Sequence, residues 1–322
     1  MSTLPINPVK DRYKVRNWKE YNNSLCKRGS LTLFIDLSVL DEWVDLTDRK
    51  KIVGSPTYSD SIIRCCLLVK LNYGLRLRQS TGFLRSLFLL MGKEELPIPD
   101  YTTLCRRQGD LPVEISTRLE RGENLVVGID STGLKVCGEG EWKVRKHGWS
   151  KRRTWRKLHI FMDLDNQQIL SVELTGNDED DACAGSRMLK GKTEGIAVFH
   201  GDGAYDKFAF RQVLGAGIKQ VIPPPENAVI QKSKKGKPLP EHLVQRNQAV
   251  EYIQNHGRKQ WKTAHGYHKR SLNEVVMFRY KTIFGENMEA RKIENQITEV
   301  RLKCLLLNKF TATGMPDSYK TA

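Results

Sequence analysis

Residues Leu125 to Lys135 run Leu-Val-Val-Gly-Ile-Asp-Ser-Thr-Gly-Leu-Lys. Five of the first six are apolar or glycine, the pattern of a short buried strand, and Asp130 stands where that strand meets a Ser-Thr-Gly turn. An unpaired buried charge costs several kcal/mol, so this carboxylate is either satisfied by its own turn, through Ser131 and Thr132, or awaits a cation. A second stretch, Gly195-Ile-Ala-Val-Phe-His-Gly-Asp202-Gly-Ala-Tyr-Asp206, repeats the pattern. There an apolar strand delivers Asp202 among glycines that let the backbone approach closely. Parallel strands place their ends side by side, which makes Asp130 and Asp202 candidates to converge on one divalent cation.

A third carboxylate lies further on, in Tyr267-His-Lys-Arg270-Ser-Leu-Asn-Glu274-Val-Val-Met-Phe-Arg-Tyr-Lys281. At about 100° per residue, Tyr267, Arg270, Glu274 and Lys281 fall within one arc of about 60° on a single helix, apart from Leu272, Val275, Val276 and Phe278. An ordinary surface helix with an Arg270–Glu274 pair at i, i+4 fits the same spacing. Between these landmarks, residues 158–164 and 168–174 read as two strands joined by a turn at Asp165-Asn166. The acidic run Asn177 to Asp181 precedes a helix over 182–190 and complements its dipole. A helix over 208–217, a strand over 218–222, a Lys-, Gly- and Pro-rich mobile loop to Pro240 and a helix from Glu241 follow. After Gly285 a long final helix, 288–307, is expected to pack on the sheet.

The chain has 322 residues, with 53 Lys and Arg against 37 Asp and Glu, giving a formal charge of +16. That surplus is the electrostatic footprint of a protein that neutralises a polyanion, and nucleic acid is the default partner. No apolar run reaches membrane-spanning length, the first residues lack a signal-peptide pattern, and seven cysteines without a C-x-x-C pair fit a reduced, cytosolic protein. The cations cluster: Lys151, Arg152 and Arg153 lie in a basic, tryptophan-rich stretch from Glu139 to Lys157, and Arg258, Lys259 and Trp261 form a second basic aromatic group. Both are candidate DNA-binding surfaces.

Residues 1–118 read as a helical region. Ser59 or Asp60 caps a helix that Gly74 ends, a second runs from about Leu77 to Met91 before Gly92, and Asp100 caps a short third helix carrying Arg106 and Arg107. The order of helix, break and basic helix suits a helix-turn-helix-like DNA reader, and equally a plain helical bundle.

The signature Tyr-x2-Arg-x3-Glu-x6-Lys, filled by Tyr267, Arg270, Glu274 and Lys281, resembles that of the DDE transposases of bacterial insertion sequences. Gly128-Ile129-Asp130-Ser131-Thr132-Gly133-Leu134-Lys135, Gly201-Asp202-Gly203-Ala204-Tyr205-Asp206 and Gly266-Tyr267-His268-Lys269-Arg270-Ser271 resemble the insertion-sequence-five group of that superfamily. Further matches are Tyr21-Asn22 through Arg28-Gly29-Ser30, Pro99-Asp100-Tyr101-Thr102-Thr103-Leu104 and Leu307-Asn308-Lys309, so the resemblance covers nearly the whole chain.

The resemblance implies an α/β fold: an RNase H-like catalytic domain, 119–322, preceded by an all-helical DNA-binding region, 1–118. Asp130 would lie on the first strand, Asp202 after the fourth and Glu274 on a later helix. The three would be catalytic and would hold two Mg²⁺ ions, with Mn²⁺ as a substitute. It further implies cleavage at the terminal inverted repeats of the protein's own element and joining of the freed 3′-hydroxyl to target DNA. Tyr267, Arg270 and Lys281 would contact DNA near the scissile phosphate. The expected setting is the bacterial cytoplasm, on nucleoid DNA, as a homodimer or larger assembly on double-stranded DNA. Two other readings compete: a catalytically silent, transposase-derived DNA-binding regulator, and a metal-dependent DNA nuclease without strand transfer.

Overall fold

Strand β2 (Leu125–Val136) is the axis of a mixed sheet with strand order β4-β3-β2-β5-β6 and β7 paired to the far end of β2. The computed structural model describes residues 12–35, 39–40, 43, 58–116, 124–136, 155–233 and 238–321. Strands β3 (Trp155–Asp163) and β4 (Ile169–Gly176) form an antiparallel hairpin that continues from β2. On the other side of β2, β5 (Ile196–His200) and β6 (Lys219–Val221) run parallel to it, as does the two-residue β7 (Asn287–Met288). Three antiparallel strands extended by parallel ones, with helices on both faces, make this the RNase H-like arrangement expected from the sequence.

Side-chain alternation decides what each face meets. The odd-numbered Val127, Ile129 and Phe161 pack under α5 (Asp181–Leu189) and α6 (Phe208–Leu214), against Leu189, Phe210 and Leu214. The even-numbered Leu134, Leu158, Ile160 and Met162 pack against Val276 and Tyr280 of α9 (Ser271–Phe284) and Val300 and Leu307 of α10 (Ile293–Thr313). Asp130 and Gly128 belong to this second face. Helices α7 (Glu241–His256) and α8 (Arg258–Ala264) cover the β6 edge, where Val221, Ala249 and Trp261 form a small core of their own.

One local expectation is corrected. The Ser131-Thr132-Gly133 stretch is not a turn: β2 continues through it to Val136, because β3 keeps pairing as far as Lys135↔Trp155. What ends beside Asp130 is the parallel partner, whose last pair is Gly128↔His200.

The N-terminal helices follow their caps. Ser59 accepts from the Ile62 amide at the start of α2 (Asp60–Asn72), and Gly74 after it has φ +62°. Helix α3 (Leu77–Leu90) is followed by Gly92 at φ +64°, and Asp100 caps α4 (Tyr101–Gln108) through the Thr102 amide and hydroxyl. Their core of Ile62, Cys66, Leu84, Phe88 and Leu104 also takes in Leu302, Leu306 and Phe310 of α10. Helix α10 therefore serves two cores, one face on the sheet and the other on the helical region, as an apolar surface on more than one side requires. It begins later than expected because Met288 is in β7 and the amides of Glu289 and Ala290 are held by the Glu299 carboxylate, itself paired with Lys303 at 2.7 Å. The expected all-helical region is corrected in one respect: among the described residues it also holds β1 (Arg12–Val15), which precedes α1 (Trp18–Arg28) and pairs antiparallel with β8 (Ser318–Thr321). Among the described residues no helix is long and apolar enough to cross a membrane.

Two histidines are buried in the sheet. His159 is fully inaccessible, with Nε2 2.9 Å from the Thr175 hydroxyl and Nδ1 3.6 Å from Asp181, and burial pulls its pKa down to about 4 despite that carboxylate. His200 is likewise depressed to about 4 by burial and then by Lys269. In the unfolded chain both titrate near 6.5, so between those values the unfolded state binds more protons and stability falls as pH drops. The expected loss from pH 6.5 to 4 is up to roughly 3 kcal/mol per histidine. Urea unfolding at pH 7 and 4.5 checks this: His159→Gln should shrink the difference, and an unchanged difference would refute it.

Candidate active site

The last parallel pair of β2 and β5 is Gly128↔His200, and Asp130 and Asp202 each lie two residues beyond it. The end of the parallel ladder therefore puts the two carboxylates side by side. Asp130 Oδ1 accepts from the Ser131 amide at 2.8 Å, and Asp202 Oδ1 accepts from the Ala204 amide at 2.9 Å, capping a single 3₁₀ turn, Gly203–Tyr205. A Cβ on Gly201 would stand 2.9 Å from the Phe199 ring, so the chain leaves β5 through a position that only glycine fits. The loop is anchored by Asp206, whose side chain is 1% exposed. Arg211 Nε donates to it at 2.7 Å and Arg246 Nε at 3.1 Å, while Arg211 also donates to Gln220 and to the Ile222 carbonyl. A buried carboxylate is tolerable on these terms, paired twice and fully hydrogen-bonded.

Glu274 comes from the opposite direction, in the first turn of α9. The single helix expected from Tyr267 onward is divided: Tyr267–Arg270 is a 3₁₀ turn entered through Gly266 at φ +65°, and the α-helix begins at Ser271. Arg270 still reaches its expected partner, with Nη2 2.7 Å from Glu274 Oε1, and its Nη1 stands 3.5 Å from Asp130 Oδ2. The guanidinium also lies over the Tyr267 ring, 5.8 Å from its centre. Helix and strand are locked together by Asn273, buried, which donates to the Ile129 carbonyl at 3.4 Å. Its amide lies against Gly128, where a Cβ would come within 2.7 Å.

The electrostatics follow from this convergence. The Asp130 carboxyl is raised above its ordinary value, first by burial and further by the charges of Asp202 and Glu274, against the pull of the Ser131 amide and Arg270. Among the described residues no group of three or more His, Cys, Asp or Glu side chains is set to hold a metal ion; the Arg270 guanidinium lies between two of the carboxylates instead. The donor set nonetheless fits a hard divalent cation. It offers carboxylate oxygens from three separate elements, of which Asp130 is raised chiefly by its burial.

The other candidate DNA-binding residues are spread more widely. Lys281 sits two turns along α9 from Glu274, 3.5 Å from Glu286, which also meets Lys135. Lys259 and Arg106 are exposed. Arg258 is partly buried and donates to the Pro224 carbonyl at 2.7 Å. One expectation is corrected. Trp261 is 1% exposed and stacks beside His265 and Tyr267, so it supports the Tyr267 turn from below and offers no face to DNA. Arg107 is taken up by Asp60 at 2.6 Å and the Tyr58 carbonyl, bracing α4 on α2. Lys151, Arg152 and Arg153 lie outside the described residues. The acidic run behaves as a helix start, Asp180 accepting from the amides of Ala182 and Cys183. Sequence reasoning gave no role to Asp206 or Asn273; the signals were an acid in the same loop as Asp202 and an amide beside Glu274.

A family described as "Transposase DDE domain" matches residues 121–309, and a second family with the same description matches 26–139. Among solved structures, a cryo-EM structure of a piggyBac transposase synaptic complex with hairpin DNA is similar at 12% identity over 94% of this chain and 84% of that one. Its TM-score of 0.28 is too low to bear on fold or partners.

The site makes a prediction that needs no catalysis. In a carboxyl-carbon NMR titration, Arg270→Ala should move the Asp130 transition to higher pH and Asp202→Asn should move it lower, because the first removes a favourable charge and the second a repulsive one. Two variants with unmoved transitions would mean that the three groups do not share a site.

Proposed function

The chain belongs to the DDE transposases, a family of phosphoryl-transfer nucleases, and on that premise we propose that Asp130, Asp202 and Glu274 form the acidic centre of a DNA-cleaving and DNA-joining enzyme. Its substrate is double-stranded DNA carrying the terminal inverted repeats of its own insertion sequence. What supports this reading is that Arg270 bridges Asp130 of β2 and Glu274 of α9, with Asp202 two residues past the last parallel pair of β2 and β5, in a chain with a formal charge of +16.

Asp130, Asp202 and Glu274 would hold a pair of Mg²⁺ ions, which would supply activation of the attacking oxygen and stabilisation of the leaving one. The protein's own groups do the rest. The Ser131 and Ala204 amides hold the Asp130 and Asp202 carboxylates in fixed orientations. Glu274, 61% exposed, keeps the freedom to turn away from Arg270. Arg270, once relieved of Asp130 and Glu274, has a planar fork suited to bidentate contact with the scissile phosphate, and the ring of Tyr267 limits where it goes. Lys281 on α9 and the exposed Lys259 on α8 supply further cations for the flanking backbone. No covalent enzyme intermediate is required: water frees a 3′-hydroxyl, and that hydroxyl attacks target DNA.

In this reading the helical region, 1–118, recognises the repeat, with Arg106 on α4 available for contact, and 119–322 carries the chemistry. Two ends joined in one event call for two active sites, hence a homodimer or larger assembly on DNA.

The test is incubation of a labelled duplex bearing the element's terminal repeat with a target plasmid in Mg²⁺. Wild type should nick at the repeat end and join it to the plasmid, while Glu274→Ala binds and gives only background product. Cleavage without joining would identify a nuclease, and binding without cleavage by both proteins would identify a DNA-binding regulator; either result overturns the proposal.

A further inference from the structure

Between the helical region and the start of α10 lies a cleft of about 470 Å³ that shares no residue with the acidic centre. Its walls are side chains that tie the two regions together. Lys70 of α2, 8% exposed, and Arg76 before α3 both donate to Glu289, each at 2.7 Å. Gln108 of α4 donates to the Asn295 carbonyl at 2.9 Å, and the Asn295 side chain donates to the Cys105 carbonyl at 3.1 Å. Gly109 permits this close fit, since a Cβ there would stand 2.8 Å from the Asn295 side chain. The cleft is therefore a built feature of the joint.

The charges that line it do not balance. Four cations, Lys70, Arg76, Arg291 and Lys292, meet two carboxylates, Glu289 and Glu299. Both carboxylates are already taken, Glu289 by Lys70 and Arg76 and Glu299 by Lys303. Arg291 and Lys292 are exposed, and among the described residues neither side chain has an acidic partner. On α4, whose Cys105 and Gln108 line the same cleft, Arg106 is exposed as well. Surplus positive charge in a cleft concentrates anions. Two adjacent exposed cations along an open cleft suit the repeating charge of a nucleic-acid backbone better than a small anion, which needs a closed cage of donors.

We propose that this cleft seats the backbone of a DNA strand, with Arg291 and Lys292 on its phosphates. The inference rests on the reading of the chain as a DNA transposase and adds to it a contact surface separate from the acidic centre. A strand lying here touches α4 and the approach to α10 at once. The cleft also carries its own probe, because Cys105 is an exposed free thiol on its wall. Cys26, likewise exposed, serves as the control. Its neighbours Ser24 and Arg28 bond to the Gly314 carbonyl at the opposite end of the 21-residue α10. At about 1.5 Å per residue that end is roughly 30 Å from the cleft.

The test uses the full chain and a fluorescein-labelled 30-base-pair duplex of random sequence. Binding is followed by fluorescence anisotropy over a series of NaCl concentrations, and N-ethylmaleimide labelling of each cysteine by peptide mass spectrometry. Bound duplex should slow the labelling of Cys105 and leave that of Cys26 unchanged. In Arg291→Ala/Lys292→Ala the slope of log K against log[NaCl] should become shallower by about two, one phosphate contact per cation, and the shielding of Cys105 should be lost. Arg291→Lys/Lys292→Arg should keep both, which separates lost contacts from a disturbed fold. Duplex that binds without slowing Cys105, or an alanine variant with the wild-type slope, overturns the cleft as a DNA seat. Inorganic phosphate that shields Cys105 as well as the duplex does would make it a small-anion site and overturn it too. Wild type that fails to bind the duplex at all would instead remove the transposase reading and this inference with it.

Discussion

The bridge that Arg270 makes between Asp130 on the central strand and Glu274 on α9 depends on supports from several elements. Asp130 is carried by the central strand, Asp202 by a loop whose own Asp206 is clamped by two arginines, and Glu274 by a helix tied to the strand through Asn273 and Gly128. None of these supports neutralises the site. Arg270 does so in part, standing between Asp130 and Glu274, and the Asp130 carboxyl still remains above its ordinary value. The acids are thus held on well-supported elements, and Asp130 is raised chiefly because it is buried.

The second constraint is that the helical region and the sheet share α10. Leu302, Leu306 and Phe310 belong to the helical core, whereas Val300, Cys304 and Leu307 belong to the sheet. The buried Glu299–Lys303 pair fixes the turn that leads into this helix, and Glu289 in that turn is held from the helical region by Lys70 and Arg76. The helical region is therefore joined through α10 to the sheet that carries Asp130.

Much of this was legible in the sequence because the deciding signals are local. Apolar strands that carry or lead to an aspartate, an arginine and a glutamate four residues apart, helix caps at Ser59 and Asp100, and an acidic run before a helix each declare themselves within a few residues. The misreadings share one cause, the long-range partner. Ser131-Thr132-Gly133 looks like a turn until β3 is known to pair with it. Trp261 looks like a DNA contact until a core is found to occupy it. Asp206 is an ordinary loop acid without Arg211 and Arg246, and the four-residue strands β1 and β8 have no signal beyond each other.

The central claim is that Asp130, Asp202 and Glu274 make one cation-binding centre from which Arg270 withdraws. The most direct measurement is a crystal of the protein soaked in Mn²⁺, with anomalous scattering recorded at the manganese edge. The account predicts a peak bounded by these three carboxylates and an Arg270 guanidinium moved off Asp130 and Glu274. Saturating Mn²⁺ that leaves Arg270 in place and gives no peak among the three would contradict it.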